Sequence, residues 1–279
     1  MKDQGLFSIN ASHFLRGIAI LMVIFSHYFE WGASDIANEK LSSFVASWGD
    51  WGVGVFFLLS GYALYKGYGK KDTDLMYIIK RLKNVYIPYL ILAAAIALLS
   101  DSIHTGHDVA DLLTGKDYWF MVILFIIYIA FYFVGKLPEK FRIMIMTAFI
   151  IDTSLMLYLK GYREFWYTAN WAFALGMMLS KYEQKIVRKE GYLIDIKDVV
   201  FTSMGRASLY IYILHSFVYF KIMNTQGLTE VNWYLKLFIQ LVITVVVAVV
   251  LEFVIRKATD LLMIPVNKYI GLRTKRENM

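Results

Sequence analysis

The chain is built around apolar runs too long for an ordinary soluble core. Runs approaching the roughly 20 residues needed to cross about 30 Å of hydrocarbon recur at 14–31, 51–68, 85–99, 118–134, 141–159, 165–180, 202–220 and 233–255. A spanning segment must satisfy its own backbone, so only helices or closed barrels serve, and unbroken rather than alternating runs select helices. The expected fold is an all-α polytopic membrane protein of about eight transmembrane helices. Composition agrees, with 58% hydrophobic and 17% aromatic residues and a mean hydropathy of +0.52.

The basic residues set the orientation. Counting Lys66 and Arg142, at run ends, with the connections they border, Lys and Arg number one, six, one, three, two, five and one in the seven successive connections, and more follow the last run. By the positive-inside rule the even-numbered connections and both termini are cytoplasmic, and an even helix count agrees. The net charge of +7 is thereby a matter of topology; a basic face on a polar domain, the mark of a nucleic-acid binder, is missing from the sequence. Residues 257–279 mix apolar with basic side chains and read as a basic tail on the inner membrane surface. No internal repeat or flexible linker divides the chain, so residues 1–279 read as one multi-pass domain of a cell membrane. The first segment lacks a basic start and a small-residue cleavage site and reads as retained. There is no cysteine, which removes disulfide and thiolate chemistry, and no metal is expected.

Ionisable residues inside such spans are costly unless they face an interior cavity, so each is a functional candidate. In "LRGIAILMVIFSH", Arg16 lies near the cytoplasmic end and His27 stands 11 residues on. That is nearly three full turns, about 16 Å along one helix face. The seventh run repeats the pattern with Arg206 and His215, which brings His215 to about the depth of His27. Snorkelling explains Arg16 alone as well as function does; the shared face raises the functional reading of the pair. Lys80, Arg81 and Lys83 serve the positive-inside rule but also form a cradle for a phosphate arriving from the cytosol. Ser60, with Gly52, Gly54 and Gly61, thins the second helix, chiefly for close packing. Asp152, Asn170 and, near the inner end of the last run, Glu252 complete the polar set; Ser60, Asp152, Asn170 and His215 are candidates for substrate contact. The aromatic stretch "KGYREFWYTANW" fits an interfacial belt.

The blocks "FLRGIAILMVIFSH", "WGVGVFFLLSGY", "KRLKNVYIPY", "YWFMVILFIIY", "WAFALGMMLSK" and "SLYIYILH" together resemble acyltransferase family 3, bacterial membrane enzymes that move acyl groups, often acetyl, onto sugars and polysaccharides. The resemblance implies His27 as catalytic with Arg16, Lys80 and Arg81 at an acyl-CoA donor such as acetyl-CoA, and His215 as a recurring histidine. It implies a bacterial cytoplasmic membrane location, a glycan or lipid-linked sugar acceptor, and a second copy or glycan-synthesis machinery as partners. His13 stands where the family often has an aspartate, an arginine frequent near Asn84 is missing, and members commonly have about ten helices. The sequence reading is thus an acyl-CoA-dependent O-acyltransferase with a histidine base. A transporter or flippase for a lipid-linked sugar is the alternative, without the paired broken helices or inverted repeat such proteins show; a catalytically dead scaffold is a third.

Overall fold

A computed structural model describes residues 5–32, 38–67, 74–187, 192–196, 198–223, 225 and 231–262. Helices dominate it. α1 (Ile9–Trp31) starts where the Ser8 side chain accepts the Ala11 N–H at 3.0 Å, a Ser cap that satisfies one orphan donor of the first turn. α2 (Glu39–Ala46) leads into α3 (Trp48–Gly67), and α4 (Asp74–Arg81) runs through a wide π turn at Leu82–Tyr86 into α5 (Ile87–Leu99). Pro88 lies at the start of α5 and has no N–H for the carbonyl four residues back, which accounts for the irregular turn.

α6 (Gly106–Thr114) is a short capped helix that meets α7 (Trp119–Gly135) at 61°. α8 (Glu139–Leu159) and α9 (Ala172–Ile186) flank a single 3-10 turn, Glu164–Trp166. α10 (Val199–Arg206) is separated from α11 (Ser208–Met223) by a break at Ala207, and α12 (Trp233–Leu262) is the longest helix. Two three-residue strands, β1 (Gly5–Phe7) and β2 (Tyr192–Ile194), pair in parallel, Gly5 opposite Tyr192.

Every apolar run of the sequence corresponds to a helix or helix pair. Among the described residues five helical stretches are long and apolar enough to cross a bilayer, six if α6 and α7 form one broken span, while α11 is apolar but shorter. The protein is a helical membrane protein. Of the expected tail, residues 257–262 continue α12 and the rest lie outside the described residues.

α1 is packed against α3 and α10, and α3 against α9. Glycines set these approaches. A Cβ on Gly61 would meet the Phe173 carbonyl and one on Gly176 the Leu58 carbonyl, so α3 and α9 touch backbone to backbone. Gly205 likewise lies against the His13 carbonyl and Gly17 against that of Phe201, locking α1 to α10. Ile20, Phe57, Tyr89, Met121, Phe131 and Phe173 fill the centre. α8 and α12 lie outside it and turn Met144, Ile151, Phe238, Val242 and Val246 outward, as lipid-facing helices do.

Beneath the bundle, on the side expected to be cytoplasmic, the Tyr62 hydroxyl donates to Glu183 at 2.5 Å and accepts from the Leu6 N–H at 3.1 Å. Lys66 bridges Glu183 at 3.1 Å. This cluster ties β1 to α3 and α9.

Candidate functional site

A cavity of about 330 Å³ opens between α1, α3, the π turn, α7 and α11. Arg16, Arg81 and Arg206 line it, with Ser60, Asn84 and Tyr128, and no carboxylate is among its described lining residues. Each arginine arrives by a different route. Arg16 comes from the second turn of α1, Arg206 from the last turn of α10, and Arg81 from the end of α4, just before the π turn. The Arg81 guanidinium lies 5.3 Å from the Tyr128 ring and 5.8 Å from the Tyr77 ring, a cation–π setting that fixes its plane. Its Nε is buried without a hydrogen-bond partner. Arg206 donates to Ser203 Oγ at 2.9 Å. Three guanidiniums around one space, with one buried donor unmet, can receive an anion.

His27 and His215 lie one helical turn beyond the cavity wall. Val23, a turn before His27 on α1, and Tyr212, a turn before His215 on α11, both line the cavity. His27 Nδ1 and His215 Nε2 are 2.7 Å apart. The two rings are within 9° of parallel and their centroids are 4.8 Å apart; that separation exceeds the nitrogen distance by nearly a ring's width, so they meet edge to edge and not face to face. His215 Nδ1 is 2.6 Å from the Tyr212 carbonyl oxygen. Trp31, four residues after His27, lies parallel to both imidazoles at 4.7 and 5.6 Å. His215 is buried, and Gln240 of α12 donates to its backbone oxygen at 3.2 Å. No described residue bonds to His27 Nε2.

The structure thus brings Arg16, Arg81 and Ser60 to one cavity and His27 and His215 to one contact. Lys83 instead pairs with Asp260 at 2.6 Å in a side cavity of about 290 Å³, which adjoins the first through Asn84 and Arg206. Glu252 lines that side cavity and holds Arg256 at 3.2 Å. Lys80 is half-buried on α4 and lines neither cavity. Asn170 is buried at the start of α9, where its amide donates to the Trp166 carbonyl at 3.0 Å. Asp152 is exposed on α8, away from both cavities. Arg206, Asn84 and Tyr128 join the site without having been singled out for it. For Arg206 the signal was present, since it precedes His215 by nine residues much as Arg16 precedes His27 by eleven.

No curated protein and no solved structure matches the chain. A family profile, described as an acyltransferase domain, matches residues 9–194. That range holds Arg16, His27, Ser60 and Arg81 and stops short of α10, α11 and α12, so Arg206 and His215 join the site from outside it. With two thirds of its length matched, the chain belongs to acyltransferase family 3.

Proposed function

We propose that the protein is an O-acyltransferase of a bacterial cytoplasmic membrane, with eight spans and both termini in the cytosol. In this reading it moves an acyl group, typically acetyl, from acyl-CoA to a hydroxyl of a glycan or lipid-linked sugar. The observation that carries the reading is the cavity with three arginines and no acid among its described lining residues, one helical turn from a histidine whose Nε2 no described residue hydrogen-bonds. Family membership supports acyl transfer; the arginines favour a polyanionic donor, and CoA is one.

Arg16, Arg81 and Arg206 hold donor phosphates, with Lys80 and Lys83 attracting them from the cytosolic side. The thioester end reaches past Val23 and Tyr212 toward His27. His27 Nε2 takes the acceptor hydroxyl proton as that oxygen bonds to the thioester carbonyl carbon. The tetrahedral intermediate then breaks its C–S bond, and the departing thiolate takes from His27 the proton that came from the acceptor. Ser60 lies on the donor side, where it contacts the pantetheine arm; Asp152, exposed on α8, serves as a contact for the acceptor or for a partner in glycan synthesis, while Asn170, buried against Trp166, supports the fold at the start of α9.

The test is CoA release from acetyl-CoA by protein in nanodiscs with a panel of glycans. Wild type should release CoA in an acceptor-dependent way. His27→Ala should lose about 10²–10⁴-fold in kcat while still binding acetyl-CoA, and Arg16→Ala should bind it more weakly. Wild-type protein that neither binds nor turns over acetyl-CoA with any acceptor, yet moves a lipid-linked sugar across the bilayer, would make transport the better account.

A further inference from the structure

We propose that His215 is a positioning residue that fixes the tautomer of His27, presenting the Nε2 lone pair to the acceptor; this rests on the reading of His27 as the base. A peptide carbonyl only accepts hydrogen bonds, so the 2.6 Å contact with Tyr212 O places a proton on His215 Nδ1. A neutral imidazole carries one N–H, so His215 Nε2 is then an acceptor. Its 2.7 Å partner, His27 Nδ1, must be the donor. With its proton on Nδ1, His27 keeps an unshared pair on Nε2, the nitrogen no described residue touches. An isolated imidazole prefers the opposite tautomer, with the proton on Nε2, where it would be useless as a base. His215 therefore does for His27 what a carboxylate does for the histidine of a hydrolase triad, and it does so with a neutral group.

Two neighbours hold the arrangement. Gln240 pins the His215 backbone from α12, and Trp31 covers both rings. The chain of hydrogen bonds ends on a peptide oxygen, which cannot take up a proton. A proton accepted by His27 from the acceptor hydroxyl thus has no exit through His215, and it must pass to the departing thiolate. One histidine is both base and acid in the cycle.

The test is 15N NMR of 15N-histidine protein in lipid nanodiscs at a pH where both rings are neutral, with His27 signals assigned by their loss in His27→Asn. The expected spectrum shows His27 protonated at Nδ1 and bare at Nε2. His215→Gln, whose side-chain oxygen still accepts, should keep that pattern and stay within about tenfold of wild-type kcat. His215→Phe should shift the proton to Nε2 and cost about 10²–10⁴ in kcat, with KM for acetyl-CoA unchanged. His27 protonated at Nε2 in the wild type overturns the proposal without any variant having to fold. Equal kcat for the Gln and Phe variants also overturns it. Absence of turnover in wild type with the expected spectrum intact would count against the transferase reading alone.

Discussion

The arginine cavity makes opposite predictions for stability and for binding, and Arg81→Met separates them. Arg16, Arg81 and Arg206 line one cavity, and like charges roughly 10 Å apart repel by about 1–2 kcal/mol at an effective dielectric constant of about 20. Removing Arg81 relieves its repulsion with Arg16 and with Arg206, about 2–4 kcal/mol in all. It also removes a buried donor that has no partner, a further gain of about 1–3 kcal/mol. Against this stands the loss of the contacts with Tyr77 and Tyr128, about 1–2 kcal/mol. The balance favours the variant in the ligand-free state. Binding runs the other way, since a charge-assisted hydrogen bond to phosphate is worth about 1.5–3 kcal/mol, or about 10–150-fold in Kd. Thermal unfolding in nanodiscs should therefore show Arg81→Met melting several degrees above wild type without ligand, with most of the upward shift produced by acetyl-CoA lost. A variant that melts lower than wild type yet keeps its full ligand shift would refute the reasoning, because Arg81 would then be a structural cation.

The helix contacts and the outlying polar residues give further predictions. A Cβ at Gly176 meets the Leu58 carbonyl and the Tyr62 nitrogen, backbone atoms that cannot turn aside; Gly176→Ala should cost about 1–3 kcal/mol, read as a lower melting temperature. Asp152 is exposed on lipid-facing α8, so Asp152→Leu should melt no lower than wild type. Loss of turnover in that variant with unchanged melting would identify an acceptor or partner contact at α8.

The spans were legible because hydrocarbon leaves few solutions for a long apolar run. Their interruptions were not. The break at Ala207 and the start of the short α9 fall at a few polar residues, Arg206 and Ser208 in one case and Thr168 and Asn170 in the other, too few to end an apolar run that is read as one. The β1–β2 pair was invisible because three-residue strands carry no periodicity. Arg16 with His27 could be read from one helix, since spacing fixes a shared face. The depth of His215 could be read too, but the contact with His27 depends on how α1 and α11 are turned about their axes, which spacing within one helix does not determine. Arg81 was ambiguous for a different reason: a cytoplasmic arginine obeys the topology rule whether or not it serves a site. Only the third dimension shows it between two tyrosine rings facing a cavity.

The contact between His27 and His215 joins residues 188 positions apart. At a synthesis rate of about 5–20 residues per second, α1 enters the bilayer some 10–40 s before α11 exists. Throughout that interval His27 belongs to a membrane helix whose partner histidine has not yet been made. The nascent chain must spend that time shielded, by insertion machinery or by α3 packed against α1 at Gly52. The order of birth of the helices makes the paired histidines among the last features of the protein to form.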